Sequence, residues 1–332
     1  MSLEKNITII GDGGYGTAVA LVLNSAGHKT TIWSYDPQYV DEMRRTHENV
    51  KFLPGYALPP TIEFETDLSK AIRQADLIMT AVPSKFLRSV LSQAKGAAAD
   101  RPVVSLTKGF DADTLMRPTE VIRDCLGAEK IIALSGPSSA GELAQGLPAS
   151  VVVAADELET ARRVQGMITS PRFRVYASRD IVGVELAGAM KNVIALAAGI
   201  LQGMKQGDNA LAALVTRGLA EITRLGVAMG AEASTFSGLA GMGDLILTCI
   251  TPHSRNRQVG LQLAEGKRLD DILAGMNGVP ESVSTTELVL KLADKYGVDM
   301  PIACEVADVL WRGKAPQTSL DELMRRESKD EN

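Results

Sequence analysis

The sequence has few of the residues that build covalent or metal cross-links. Its 332 residues include only three cysteines, Cys125, Cys249 and Cys304, and three histidines. The cysteines are scattered without CxxC spacing, so the sequence offers neither a disulfide framework nor a zinc cluster, and we expect no bound metal. This cysteine usage is typical of a protein that works in the reducing cytoplasm.

Excess basic charge and long apolar runs are also lacking. A net charge of −5 leaves no basic face for nucleic acid, and no uncharged run reaches the length of a membrane span. The N-terminal MSLEKNITII carries an acid and a base beside a short apolar run, unlike a signal peptide. With 45% hydrophobic residues over 332 positions, the composition predicts a soluble globular protein of about two domains.

Short β-branched runs alternate with helical patterns through the first half of the chain. The strand candidates are NITII, KTTIW, LIMTAV, PVVSL, IIALS, SVVVAA and FRVYA. This alternation predicts an α/β domain with a doubly wound parallel sheet of Rossmann type over residues 1–178. Apolar-periodic segments follow at 181 to 204, 208 to 230, 256 to 265, 284 to 296 and 302 to 312. They predict an all-helical C-terminal domain over residues 179–332.

A glycine-rich turn directly follows the first strand candidate. In GDGGYG, the residues Gly11, Gly13 and Gly16 have the G-x-G-x-x-G spacing, and the helical TAVALVLNSAG comes next. The first two glycines permit a tight turn and the approach of a pyrophosphate to backbone N–H groups, and Gly16 lets the helix pack near the strand. The strand, the glycine spacing and the helix together predict a dinucleotide-binding site rather than a glycine-rich turn that binds no ligand.

The second strand candidate, KTTIW, should end near the adenosine ribose. Ser34, Tyr35 and Asp36 follow it. Asp36 is a candidate acceptor for the ribose hydroxyls, although it stands late in the turn, and no adjacent arginine meets a 2′-phosphate. We therefore expect both NAD and NADP to be accepted, with a slight preference for NAD.

Polar residues close three later strand candidates. These are Pro83 and Ser84, then Thr107, Lys108 and Gly109, then Ser135, Gly136, Pro137 and Ser138. Because the carboxyl ends of strands line the ligand crevice of such a sheet, we expect the three loops to converge on the nicotinamide end of the cofactor. Lys108 is either a crevice lysine or a solvated loop lysine, and the glycine after it favours a backbone held close to a ligand.

One lysine interrupts a long apolar helix candidate. Lys191 and Glu185 are the only charges in VELAGAMKNVIALAAGI, and Lys191 has small residues on its own flank. A stem that snorkels to the surface is the ordinary interpretation. The adjacent Asn192, a second polar side chain in an apolar helix, favours an enclosed lysine with polar partners.

The helical half carries two further polar features. Asp244 is the only charge between Ala233 and Ser254, so it is either paired or functional. The segment SRNR, residues 254 to 257, precedes an apolar-periodic run and so lies near a helix N-terminus. Arginines at the positive end of a helix suit a phosphate, and a capping turn with solvated arginines is the alternative.

In this order, and over nearly the whole chain, the motifs resemble the bacterial NAD(P)-dependent glycerol-3-phosphate dehydrogenases. The matching segments are GDGGYGTAVA, the VPS and TKG strand ends, SGPS, ELAGAMKNVIA, TRGLAEITRLG, GLAGMGDLILTC, SRNR and GVPESVSTT. The resemblance implies reversible hydride transfer between NAD(P)H and dihydroxyacetone phosphate, giving sn-glycerol 3-phosphate for phospholipid synthesis. It assigns the dinucleotide to residues 1–178 and the substrate to residues 179–332.

The resemblance also implies roles for individual residues. Lys191 matches the catalytic acid/base of the family, an enclosed lysine that can donate a proton to the substrate oxygen. The matches to substrate contacts are Lys108, Gly136, Ser138, Lys191, Asp244, Ser254, Arg255 and Asn256. Beside Gly11, Gly13 and Gly16, the matches to cofactor positions are Gly14, Tyr15, Tyr35, Lys108, Ala140, Arg255, Val279 and Glu281.

Three positions depart from the family pattern. Gly14 replaces the usual serine, which removes a hydroxyl near the phosphates but leaves the backbone N–H groups, so we expect binding to survive. Ser139 and Gly141 stand where an aromatic residue and a lysine are usual. Any contact made by those two side chains in the family is therefore missing here.

Two rival functions fit parts of the pattern. A related hydroxyacid dehydrogenase or ketoacid reductase would share the layout, but the phosphate-suited SRNR segment argues against it. A non-catalytic nicotinamide-binding sensor would not need Lys108, Lys191 and Asp244. The sequence therefore predicts an enzyme with a small-molecule substrate, compatible with a homodimer.

Overall fold

The computed structural model describes residues 4–98, 100–252, 254–276, 280–327 and 330. The chain divides into two compact units, Met1–Glu185 (unit 1) and Leu186–Asn332 (unit 2). The division falls inside one long helix, a few residues after the predicted boundary at 178, and the domain extents 1–178 and 179–332 stay a prediction.

Unit 1 is built on an eight-stranded sheet. Its strands are β1 Asn6–Ile10, β2 Lys29–Trp33, β5 Ile62–Glu65, β6 Leu77–Thr80, β7 Val103–Ser105, β8 Ile131–Ser135, β9 Ala149–Ala154 and β10 Phe173–Ser178, and β3 Glu48–Asn49 and β4 Leu53–Ala57 form a separate pair. The order is β10-β9-β8-β7-β6-β1-β2-β5, and the strand order reverses between the parallel neighbours β1 and β6, as in a doubly wound sheet. The predicted fold class is confirmed.

One pairing differs from the rest of this sheet. β8 and β9 are antiparallel, whereas all other neighbours are parallel, so β9 and β10 run opposite to the six strands before them. All seven predicted strands are present, and β5 and the β3–β4 pair were not predicted.

Helices cover both faces of the sheet. They are α1 Gly14–Ser25, α2 Pro37–Thr46, α3 Leu68–Arg73, α4 Ser84–Leu91, α5 Pro118–Leu126, α6 Ala140–Ala144 and α7 Leu158–Ile168, with a 3₁₀ turn at Ser92–Ala94. Successive side chains of β1 enter two different cores: Ile9 packs with Leu23 and Val164, and Ile10 packs with Ile72 and Leu87. A strand buried on both faces needs apolar residues at consecutive positions, which explains the run NITII.

The described part of unit 2 contains helices and no strand. The elements are α8 Ile181–Gly203, which begins in unit 1, then α9 Gly207–Ala228, α10 Ala233–Phe236, a π-helical turn Leu239–Gly243, α11 Asp244–Ile250, α12 Arg255–Ala264, α13 Leu269–Ala274, α14 Glu281–Tyr296, α15 Pro301–Trp311 and α16 Pro316–Met324. The all-helical prediction is confirmed, and the five predicted segments correspond to α8, α9, α12, α14 and α15.

Within the described residues, two helical stretches are long and apolar enough to cross a membrane by length and composition, Ile181–Gly203 and Ala233–Ile250. The first is 94% buried within the protein, as the core helix of a globular protein is, and the second is 33% buried.

Candidate functional site

The turn after β1 uses its glycines for different purposes. Gly11 has φ +116°, and a Cβ at Gly16 would lie 2.6 Å from the Gly11 carbonyl oxygen and 2.9 Å from Ala81 Cβ. A Cβ at Gly13 would meet nothing within 4 Å. The chain itself therefore requires glycine at 11 and 16, whereas Gly13 borders open space at the start of α1.

That open space fits the phosphates of a dinucleotide. Gly13 is the residue before α1, and no side chain caps this helix start. Uncapped first-turn N–H groups at the positive end of a helix are suited to a pyrophosphate. The residues present thus fit the cofactor that the glycine spacing predicted.

The structure explains one departure from the family pattern. A Cβ at Gly14 would overlap the carbonyl oxygen of Phe52. The Phe52 segment lies so close to the start of α1 that the serine usual at position 14 would not fit this backbone.

The loop after β8 lies against the start of α1. The hydroxyl groups of Tyr15 and Ser138 are 2.8 Å apart, and Ser138 Oγ donates to the Gly136 carbonyl at 3.0 Å. Gly136 has φ +146°, and a Cβ there would lie 2.9 Å from Val151 Cα. Ala140 is the first residue of α6. The structure therefore brings Tyr15, Gly136 and Ser138 together.

The loops after β6 and β7 also meet. Thr107 Oγ1 donates to the Val82 carbonyl at 2.8 Å, and a Cβ at Gly109 would lie 2.7 Å from Ser84 Oγ. Gly109 has φ +114°, so only glycine suits this position. Lys108, between Thr107 and Gly109, is half-buried. It stands in the loop after β7, beside the end of β6.

The end of β2 differs from the expectation for Asp36. Asp36 Oδ1 accepts the backbone N–H groups of Gln38 at 3.0 Å and Tyr39 at 3.1 Å, which makes it the N-cap of α2. Tyr35, 69% exposed, projects beyond the strand. The capping role was not predicted, and a ribose contact of Asp36 stays a prediction.

Lys191 is 6% exposed, so the predicted enclosure is confirmed. Its Nζ donates to Asp244 Oδ1 and, at 2.7 Å, to Thr248 Oγ1. Thr248 Oγ1 in turn donates to the Asp244 carbonyl at 2.7 Å. Thr248 was not predicted, although it stands four residues after Asp244 and therefore shares its face of α11.

Asn192, the residue after Lys191, takes part in a chain of hydrogen bonds. Asn192 Nδ2 donates to Glu281 Oε2 at 3.1 Å, and Asn256 Nδ2 donates to Asn192 Oδ1 at 2.9 Å. The Ser282 N–H donates to Asn256 Oδ1 at 3.0 Å. The predicted ligand contacts Asn256 and Glu281 thus link α8, α12 and α14 around the lysine.

Glycines bring α12 close to α8. A Cβ at Gly199 would overlap the Arg257 carbonyl oxygen, and a Cβ at Gly260 would overlap the Leu196 carbonyl oxygen. The small residues near Lys191, among them Ala195 and Ala198, are fully buried. The backbones of α8 and α12 therefore lie in close contact at Gly199 and Gly260.

The start of α12 presents one exposed and one buried arginine. Ser254 Oγ caps the helix by accepting the Arg257 N–H at 3.4 Å. Arg255 is exposed, whereas Arg257 is 7% exposed. Val279, predicted to contact the cofactor, lies outside the described residues.

Burial keeps Cys249, the cysteine near the lysine cluster, in its protonated thiol form. Burial raises the pKa of the Cys249 thiol to about 12, and the positive charges of Lys191 and Arg257 only partly oppose it. A thiol in that state is a poor nucleophile at neutral pH. Among the described residues, no three His, Cys, Asp or Glu side chains are grouped as metal ligands.

Known proteins match the chain over nearly all its length. The N-terminal model of NAD-dependent glycerol-3-phosphate dehydrogenases matches residues 6–161, and the C-terminal model matches residues 180–321. The glycerol-3-phosphate dehydrogenase [NAD(P)+] of Geobacter sp. (strain M21) is 46% identical over 99% of both chains, and that of Geobacter metallireducens is 47% identical over 99% of both. The crystal structure of glycerol-3-phosphate dehydrogenase from Coxiella burnetii, at 37% identity, covers 97% of this chain and 99% of its own with a TM-score of 0.92. The chain belongs to the NAD(P)-dependent glycerol-3-phosphate dehydrogenases, a family of oxidoreductases that act on a CH–OH group.

Proposed function

We propose that this protein interconverts dihydroxyacetone phosphate and sn-glycerol 3-phosphate with NAD(P)H, and that Lys191 is its general acid and base. The observation that carries the proposal is a buried ammonium group with two polar partners on one helix, Asp244 and Thr248. A buried charge is costly unless it is paired, so this cluster has a purpose beyond packing.

The reduction needs a hydride at the carbonyl carbon and a proton at the carbonyl oxygen. The bound nicotinamide cofactor supplies the hydride. Lys191 supplies the proton, since an ammonium group is an N–H donor and Asp244 and Thr248 on α11 hold it in place. In the oxidation direction the neutral amine takes the proton from the hydroxyl group of glycerol 3-phosphate.

The phosphate group of the substrate is assigned to the start of α12. Arg255 is the exposed cation there, and the helix N-terminus adds partial positive charge. The planar guanidinium group can bind a phosphate through two parallel hydrogen bonds. Asn256, held by Asn192 and Ser282, keeps this turn beside the Lys191 helix.

The remaining contacts are assigned from the resemblance to the family. The further residues that we propose as substrate contacts are Asp244, Ser254 and, at the strand ends, Lys108, Gly136 and Ser138. The residues that we propose as cofactor contacts are Gly11, Gly13, Gly14, Tyr15, Gly16, Tyr35, Lys108, Ala140, Arg255, Val279 and Glu281.

A turnover assay of the purified protein tests this proposal. We expect NADH or NADPH to be oxidised on addition of dihydroxyacetone phosphate and not on addition of a 2-keto acid. Oxidation with the keto acid alone would favour the rival ketoacid reductase. Tight dinucleotide binding without turnover of any of these substrates would favour a sensor.

We also propose that the protein is a cytoplasmic homodimer that supplies glycerol 3-phosphate for phospholipid synthesis. The free cysteines support the compartment. Met242, Ile246 and Ile250 form an exposed apolar stripe along one side of α11 and the turn before it, which supports an interface. Light scattering after gel filtration would contradict the dimer if it gave the mass of one chain.

A further inference from the structure

A carboxylate of the glycine-rich turn lies at the end of the neighbouring strand β2. Asp12, between Gly11 and Gly13, is 7% exposed, and its Oδ2 accepts a hydrogen bond from Ser34 Oγ at 2.7 Å. Ser34 is the residue directly after β2 and is fully buried. An acid from the phosphate-binding turn therefore reaches the place where the adenosine ribose is expected in this fold.

The backbone of Asp12 is fixed from a second direction. Its carbonyl accepts Asn49 Nδ2 at 2.7 Å and Thr17 Oγ1 at 3.3 Å, and Asn49 Nδ2 also contacts Thr17 Oγ1 at 2.7 Å. With both the carbonyl and the side chain held, the carboxylate keeps its position at the end of β2. Asn49 and Thr17 thus hold the backbone of Asp12 in place.

The other acid of this region, Asp36, is committed to the helix start. Its Oδ1 accepts two backbone N–H groups of α2. Two N–H groups of α2 thus commit the Asp36 carboxylate to the helix, whereas the Asp12 carboxylate is held by the Ser34 hydroxyl group and by the N–H of its own residue.

A cation and a second carboxylate act on Asp12. The positive charge of Lys51 favours its ionised form, and the negative charge of Asp36 opposes it. Lys51 Nζ lies 4.9 Å from the centre of the Phe52 ring and 5.6 Å from that of Tyr39. Burial raises the pKa of Asp12, while the hydrogen bond from Ser34 lowers it.

We infer that Asp12 determines the cofactor preference of this protein, accepting the 2′-hydroxyl group of NAD(H) and repelling the 2′-phosphate of NADP(H). A carboxylate accepts a hydrogen bond from a hydroxyl group, whereas a phosphate beside it adds like charge in a partly desolvated place. The inference rests on the proposed dinucleotide site. It predicts a stronger preference for NAD than residues 34 to 36 alone suggest.

Calorimetric titration of the full chain with NADH and with NADPH tests the inference without an activity assay. We expect NADH to bind the wild type at least tenfold more tightly, about 1.4 kcal/mol. Asp12→Asn keeps an oxygen that can accept from Ser34 and loses the charge, so it should narrow the affinity ratio at least fivefold, mainly by improving NADPH. The matched control is Asp36→Asn, since Asn caps helices as well as Asp does, and it should leave the ratio within twofold.

Three results would overturn the inference. These are equal affinities in the wild type, an unchanged ratio in Asp12→Asn, and an equal narrowing in Asp36→Asn. If Asp12→Asn does not fold, a measurement on the wild type alone still tests the inference. The probe is 2′-deoxy-NADH, which lacks the accepted hydroxyl group and should bind at least fivefold more weakly than NADH. Equal binding of the two would contradict the role of Asp12. If neither NADH nor NADPH binds, the proposed function fails as well, whereas equal binding of the two leaves that function intact.

Discussion

The glycine-rich turn of unit 1 and the lysine cluster of unit 2 prepare their sites by opposite means. The turn offers mainly backbone N–H groups, and Gly13 leaves space in front of them. The cluster offers side chains, with Lys191 enclosed and held by Asp244 and Thr248. Glycine serves both regions, but a Cβ at Gly13 would meet open space and a Cβ at Gly199 would overlap a neighbouring helix. The same residue type therefore makes room for a ligand in one region and for packing in the other.

The largest effect is expected from Lys191→Met, which removes the charge and keeps a stem of similar size. We expect the turnover number to fall at least 10²- to 10⁴-fold, roughly the contribution of general acid/base catalysis, with lost electrostatic stabilisation adding to it. The dissociation constant for NADH should stay within about twofold, a change below roughly 0.5 kcal/mol. Stopped-flow or steady-state kinetics, with circular dichroism as a folding control, would measure this. More than about a tenth of wild-type turnover would exclude Lys191 as the acid.

Gly199→Ala tests the packing use of glycine. Because the added methyl group would overlap the backbone of α12, we expect a loss of about 1–3 kcal/mol of stability or more. Thermal unfolding would show a lower midpoint. The matched control is Gly166→Ala in α7, where a Cβ would meet nothing within 4 Å. Alanine there should be neutral or stabilising by up to roughly 1 kcal/mol. Equal midpoints for the two variants would contradict the tight crossing of α8 and α12.

Arg255→Lys keeps the positive charge at the start of α12 and loses the planar guanidinium group. KM for dihydroxyacetone phosphate should rise at least about tenfold, near 1.4 kcal/mol. Since the phosphate end also orients the carbonyl group, kcat should fall as well.

The control for Arg255→Lys is dihydroxyacetone, which has no phosphate group. Wild type should use it poorly, and the variant should differ little from wild type. Equal impairment with both substrates would reassign Arg255 to the cofactor or to the fold.

Gly13→Ala tests the ligand use of glycine and has the smallest expected effect. Stability should fall by no more than the ~1 kcal/mol that alanine costs at a helix N-cap, since the added Cβ meets nothing within 4 Å. The dissociation constant for NADH should rise about fivefold, or ~1 kcal/mol, because the methyl group enters the space assigned to the pyrophosphate. Gly16→Ala is the contrasting variant: its Cβ would clash with Gly11 and Ala81, so its melting temperature should fall. A melting temperature for Gly13→Ala as low as that of Gly16→Ala would show that the chain, not a ligand, occupies that space.

Patterns of neighbouring residues predicted much of this fold. The order of β1, the glycine-rich turn and α1 was predicted, because a strand pattern, glycine spacing and a helix pattern are all local signals. β5 and the β3–β4 pair were missed, since short strands at an edge carry little periodicity. The antiparallel pairing of β8 with β9 was also missed, because an apolar run reads the same in both directions.

The lysine cluster shows a similar limit. The burial of Lys191 was predicted from the small residues on its flank and from the adjacent Asn192, and Asp244 was singled out as the only charge in its segment. Thr248, the linking role of Asn256 and the two glycines at the helix crossing were not predicted, since each depends on contacts between distant segments.

By itself the sequence determined which residues carry charge in apolar surroundings, where the glycines stand and which segments form strands and helices. These properties depend on residue type and on spacing of a few positions, which a folded neighbour does not change. The tertiary structure alone decided which distant polar groups meet: that Asp12 reaches Ser34, and that Lys191 is held from α11. A hydrogen bond forms only over about 3 Å, and residues far apart along the chain come within that distance only when packing of the elements has set their places.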